Sequence, residues 1–123
     1  LSLERIEITP FAVIAGDLLQ NRRTGELTIL RGQTRKTLYW SQGELVLAVS
    51  SVAEDSLAHY LTQRGALPMD KAIQIGAVDP MDVVAKFHEL GGLDLSVRQS
   101  LLRDWIASVF LPLFSLDEGT VAF

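Results

Sequence analysis

A chain of 123 residues, 48% hydrophobic and 21% charged, is long enough to bury one core and too apolar to stay disordered. Its net charge of -4 argues against a protein that lives on nucleic acid or anionic lipid. With no cysteine, disulfides and thiolate metal sites are excluded, and a reducing cytoplasm fits.

The mean hydropathy is slightly positive, so an exposed apolar patch for docking or self-association is expected. The longest apolar stretch, Trp105–Leu116, is interrupted by Ser108, Pro112 and Ser115 and is too short to span a bilayer. No signal peptide is visible. The chain opens at Leu1 without methionine and stops at Phe123 on an apolar run. Residues 1–123 are therefore expected to be one domain cut from a longer protein.

Leu3, Ile6 and Ile8 give two readings of the start: Ile6-Glu7-Ile8 alternates like a strand, or the segment is a lead-in. Thr9-Pro10 reads as a helix N-cap followed by proline at the first helical position. Val13, Ile14, Leu18 and Leu19 then fall at helical spacing, with Gly16 weakening the helix by about 1 kcal/mol relative to alanine. Asn21-Arg22-Arg23 ends it.

Three short apolar runs follow, separated by glycine-bearing turns, and predict a β-meander over about 24–51. Arg31–Thr34 is the first hairpin loop, and Ser41-Gln42-Gly43 suits a three-residue second loop. The third run, Glu44–Ser50, is apolar almost throughout and predicts a central strand covered on both faces.

Ser51 with Glu54 suggests a capping box for a helix carrying Leu57, Ala58 and Leu61 and closed by Arg64-Gly65. Pro68 starts a short helix to about Ile75. Asp79-Pro80 starts another, striped by Val83, Val84, Phe87 and Leu90 and ended by Gly91-Gly92. Ser96 with Gln99 offers a second box. Leu102, Trp105, Ile106, Val109, Phe110 and Leu113 then make a continuous helical face, which Pro112 should kink or end near Leu111. Thr120–Phe123 predicts a short closing strand. Strands first and helices later indicate an α+β fold: a meander plus a C-terminal strand, packed against an N-terminal helix and a helical segment over about 53–114.

The ordered set of motifs resembles a family. Thr24-Gly25-x-Leu27-x-Ile29 follows a helix ending in two basic residues, and Leu38-Tyr39-Trp40 stands for an aliphatic–aromatic pair. Gly43-x-Leu45-Val46-x-Ala48 comes next, and Leu113-Phe114 with Gly119-x-Val121-x-Phe123 closes the chain. Together they are similar to the bacterial PatA N-terminal-like (PATAN) domain and the related domain-of-unknown-function family numbered 4388. Trp40 sits where phenylalanine is commoner, and Leu67-Pro68 replaces a polar cap. The resemblance implies a cytoplasmic bacterial signalling module, often fused to receiver domains or repeat modules, that makes protein–protein contacts. It transfers no catalytic residue and implies no cofactor.

Residue by residue, little chemistry stands out. His59 and His88 have no second ligand at metal spacing. Ser50 and Ser51 lack a nucleophile-elbow frame, and no phosphate-binding glycine loop is present. Glu54 and Asp55 read as helix N-terminal charge, and Asp79 as a cap. The short helices of 54–90 could mimic a helix-turn-helix, but Asp70, Asp79 and Asp82 stand where phosphate contacts begin, so nucleic acid is not an expected partner. The expectation is a non-enzyme.

Two surfaces are candidates. Arg22, Arg23, Arg31, Arg35 and Lys36 form either solvated strand ends, the plainer reading, or a docking patch for an acidic partner. Leu101, Trp105, Leu111 and Phe114 are a candidate self-association face, through which a homodimer or a partner contact would form. Aromatic and aliphatic stripes are core by default, so Trp105 has a buried alternative. The competing functional class is a small-ligand sensor with its pocket between the sheet and the helices.

Overall fold

The computed structural model describes residues 3–90 and 92–123. It is α+β, with a five-stranded antiparallel sheet in the order β1-β5-β2-β3-β4. In chain order these are β1 (Leu3–Arg5), α1 (Phe11–Gln20), β2 (Gly25–Arg31), β3 (Thr34–Ser41), β4 (Glu44–Ser50), α2 (Leu57–Gln63), α3 (Met69–Gly76), α4 (Val83–Leu90), α5 (Leu95–Phe110) and β5 (Thr120–Ala122). The closing strand inserts between β1 and β2, which puts Val121 beside Ile29 in the core.

The start of α1 differs from expectation. Pro10 itself is the cap, and the Thr9 hydroxyl donates to Glu4 Oε2 at 3.2 Å instead of capping. The helix ends with Arg22 in the left-handed region (φ 47), Arg22 N–H donating to Leu19 O at 3.3 Å and Arg23 N–H to Leu18 O at 3.0 Å. That is a Schellman ending built without glycine.

Both meander loops are two residues long. The second is Gln42-Gly43, with φ of 50 and 82, the mirror-image turn that matches strand twist. Its tip packs on the end of α1, since a Cβ on Gly43 would lie 2.9 Å from Leu19 O, and Gly43 N–H donates to Arg23 O at 2.9 Å. The glycine is there to let the hairpin touch the helix.

β4 is not central; it is an edge strand. Its apolar character has another cause. Successive side chains point to opposite faces, yet Leu47 and Ala48 are both buried, and Val49 lines a small cavity of about 120 Å³ with Ile75, Val78 and Val83. The helical segment wraps this edge, covering both sides of a strand that hydrogen-bonding leaves on the outside. A bulge at Val46, between the pairs Tyr39–Leu47 and Trp40–Leu45, adds twist there.

Two expected capping boxes do not form. Ser51 stays in the sheet, its N–H donating to Arg35 O and its hydroxyl accepting from Arg35 N–H, both at 2.9 Å. A 3₁₀ turn over Ala53–Asp55 follows, and Ser56 caps α2 by accepting from His59 N–H at 3.2 Å. α5 begins one turn's edge earlier than the Ser96 box requires, with Asp94 at the cap position. The strand expected over Ile6–Ile8 is also displaced: β1 is Leu3–Arg5, and residues 6–8 form a turn because Ile8 and Thr9 N–H both donate back to Arg5 O, at 3.0 and 2.8 Å. Other local signals hold. Gly65 and Ala66 close α2 with paired bonds to Thr62 O and Leu61 O, Pro80 follows Asp79 into a 3₁₀ turn before α4, and Pro112 turns the end of α5 into a 3₁₀ segment over Leu111–Ser115. Gly92 takes a positive φ after α4, while Gly91 lies outside the described residues.

Phe11, Leu18, Leu27, Ile29, Leu38, Trp40, Val109, Leu113 and Val121 form the core between the sheet and α1 and α5, and Leu57, Leu61, Ile75, Phe87 and Trp105 extend it through the helical segment. The other face of β2, β3 and β5 carries Thr28, Leu30, Arg35, Thr37, Tyr39 and Ala122, none of them buried.

Candidate functional site

The sheet–helix sandwich leaves a cleft at each end. The first, about 450 Å³, opens at the β2–β3 hairpin between the sheet and the 3₁₀ segment after α5. Ile29, Val52, Leu113 and Leu116 form its apolar walls. Lys36 reaches into it on a side chain only 12% exposed. The ammonium donates to Val109 O at 3.1 Å and lies 3.8 Å from Asp55 Oδ2. Carbonyls in the last turn of a helix lack intrahelical donors and attract cations, which is why Lys36 settles there.

Asp55 is the hub of this end. Its carboxylate accepts from Ser50 Oγ at 2.7 Å, and its backbone oxygen accepts from Trp105 Nε1 at 2.8 Å. Ser50 Oγ in turn accepts from Val52 N–H at 3.1 Å. β3, β4, the 3₁₀ turn and α5 are thus tied by matched polar groups. Lys36 and Ser50 are direct cross-strand partners, a relation that emerges only once the register is known.

The second cleft, about 650 Å³, lies at the opposite end between α1, the start of β4 and the end of α5. Ala12, Gly16, Leu19, Trp40, Leu45, Phe110 and Phe114 line it, and Glu44 is its one charged lining residue. Leu19 is 62% exposed and Phe114 46%. Trp40 is buried, edge-on to Phe110 at 6.1 Å, and its indole N–H has no hydrogen-bond partner among the described residues. The floor contains Gly16, where a Cβ would meet nothing within 4 Å. Gly16 was visible in the sequence as a helix defect; what it opens onto was not.

The five basic residues are divided among several places. Arg22 and Arg23 lie at the end of α1, with Arg23 5.0 Å from the centre of the Phe123 ring. Arg31 and Lys36 lie at the other end of the meander, about 20 Å away along β2. Arg31 makes loose pairs with Asp117 (3.9 Å) and Glu118 (3.6 Å), Lys36 is held as described, and Arg35 points to the opposite face of the sheet. Of the four apolar candidates, Leu111 and Phe114 are exposed, Leu101 is half-buried, and Trp105 is 3% exposed and bonded to Asp55. Trp105 is therefore core and is removed from any outer face.

The histidines are apart. His88 Nδ1 lies 2.9 Å from Arg98 Nη1, and because arginine only donates, Nδ1 is the acceptor. His59 borders a shallow polar hollow with Glu54, Gln63 and Arg64, the last stacked 4.5 Å over the Tyr60 ring. Among the described residues, no three of His, Cys, Asp or Glu converge to hold a metal ion, and no helix is long and apolar enough to cross a membrane. Burial pushes the Tyr39 phenol above its ordinary value, with Glu26 adding to the rise and Arg35 opposing it. No family model, curated protein or solved structure matches the chain.

Proposed function

We propose that this chain is a non-catalytic protein–protein interaction module, working in bacterial cytoplasmic signal transduction as the resemblance to PATAN domains implies. The observation that supports the reading is the apolar cleft at the α1 end, where Leu19 and Phe114 stand exposed beside Trp40 and Phe110 with a single charge at the border. Covering such a surface is favourable in proportion to the apolar area removed from water. A photo-reactive residue at Phe114 in living cells should give discrete protein adducts. The same residue at Ala85, exposed on α4, should give none. Equal labelling at both sites, or none at Phe114, would defeat the proposal.

A small-ligand sensor is the second reading, and the Lys36 cleft favours it. Its volume lies in the range of small-molecule sites, with apolar walls and a few convergent polar groups. A thermal-shift screen with nucleotides tests it. A ligand at one hundred times its dissociation constant stabilises the fold by about 2.7 kcal/mol, a rise of several degrees. Lys36→Met should abolish the shift.

A further inference from the structure

We propose that the surface built on α1 docks a second copy of this chain, as an antiparallel two-fold dimer whose axis crosses α1 at Gly16. The proposal rests on the docking reading above and names its partner.

α1 is apolar nearly all round. Phe11, Ala15 and Leu18 are buried, but the outward side carries Ala12, Val13, Gly16 and Leu19 beside the polar Asp17 and Gln20, with Val13 59% and Leu19 62% exposed. A surface helix ordinarily turns polar residues outward. Gly16 costs helix stability, and among the described residues no neighbour requires it. A missing side chain at the centre of an apolar helix face lets another backbone approach closely.

The flanks of α1 specify what approaches. Ala12, Gly16 and Leu19 border the apolar cleft on one flank, together with Phe114. Glu4, Thr9, Asp17 and Arg23 border a groove on the other flank, against the β1 edge of the sheet. When two such helices pack face to face and antiparallel about a two-fold axis, like flanks meet and the ends are exchanged. Each Leu19 then falls over the recess between Ala12 and Gly16 of the second copy, a large side chain against two small ones. On the other flank, Arg23 at the helix end falls beside Glu4 and Thr9 of the second copy, so opposite charges meet twice, while the two Asp17 carboxylates, one residue from the axis, approach each other and keep the contact weak. The helix dipoles oppose favourably as well. One surface supplies both the projection and the recess, and both the acid and the base, as an isologous contact requires. α1 is about 15 Å long, so the bordering Phe114 must contribute area, and the contact belongs to the weak, concentration-dependent class.

The test uses the chain as it is, since it contains no cysteine. Sedimentation from about 1 µM to about 1 mM should show a monomer passing to a dimer. Gly16→Cys should form an interchain disulfide under mild oxidation, while Ser100→Cys, exposed on α5, should not. Gly16→Ala should keep or raise the melting temperature of the monomer yet weaken the dimer about tenfold or more. Leu19→Glu should fold normally and remain monomeric. A monomer throughout the concentration range overturns the proposal, and so does a dimer that cross-links at position 100 and ignores both substitutions. A monomer that still gives Phe114 photo-adducts with a different protein overturns the two-fold dimer alone and leaves the docking reading standing.

Discussion

The two ends of the sheet solve the same problem differently. At the β2–β3 hairpin, every element that meets is tied by a matched polar contact: Lys36 to Val109 O, Ser50 to Asp55, Trp105 to Asp55 O. At the β3–β4 hairpin, aromatic rings and small residues meet, and Trp40 keeps an indole N–H with no acceptor among the described residues. The chain's two tryptophans are both buried, but one is satisfied and the other is not. Buried polar groups are nearly always paired, so the satisfied end reads as the structural clamp.

The largest effect should come from breaking the clamp. Trp105→Ala should cost roughly 3–5 kcal/mol in urea unfolding, because it removes a core ring and leaves Asp55 O without its donor. A loss below about 1 kcal/mol would mean that the ring does not carry the helical segment, and the contrast between the two ends would fall. Lys36→Met comes next. It keeps the apolar stem but removes the charge beside Asp55 and the donor to Val109 O, and should cost about 1–3 kcal/mol. Asp55→Asn on that background should add less than it does alone, since the two side chains act as a pair.

How much of this was legible beforehand depended on whether local or long-range geometry decided it. The meander, the Gly65 stop after α2, the Pro112 break and the closing strand are local signals, and they were readable. The capping boxes at Ser51 and Ser96 failed because a competing partner won: cross-strand pairing with Arg35 holds Ser51, and Asp94 precedes Ser96. The apolar run of β4 suggests a central strand because a run covered on both faces looks the same whether strands or helices do the covering. Asp55 reads in the sequence as first-turn charge; its role as hub depends on the Lys36–Ser50 register, which no window of sequence contains. Gly16 was seen as a flaw in α1, but its open surroundings required the fold. Trp105 was placed both in the core and on an outer face, and only the burial distinguishes these.

A smaller effect isolates the polar difference between the ends. Trp105→Phe and Trp40→Phe remove the same atoms from buried sites, so the lost packing is similar. The first also deletes a hydrogen bond and strands a carbonyl, whereas the second deletes an N–H that had no partner. The Trp105 variant should therefore be less stable than the Trp40 variant by about 1 kcal/mol. Equal losses would mean that the Asp55 contact adds nothing, and the two ends would differ in shape alone.

The smallest effect concerns the sheet face that neither cleft uses. Tyr39 stands there, half-buried, directly opposite Glu26 on one neighbouring strand and Leu47 on the other. Its phenol is held above the ordinary value of 10.0, chiefly by desolvation and secondarily by Glu26, with Arg35 pulling the other way. The folded chain thus keeps this proton longer than the unfolded chain does. The resulting stabilisation is fully present below pH 10.0 and is lost as pH rises from there through the folded value. Tyr39→Phe should flatten the alkaline fall in melting temperature and leave the neutral and acid range unchanged. Subtracting its near-ultraviolet titration from that of the parent chain should give a phenol that ionises late. A phenol that ionises at the ordinary value would show that this face is fully wet. Late ionisation would instead mean that the side chains packed around Tyr39 exclude water from its ring.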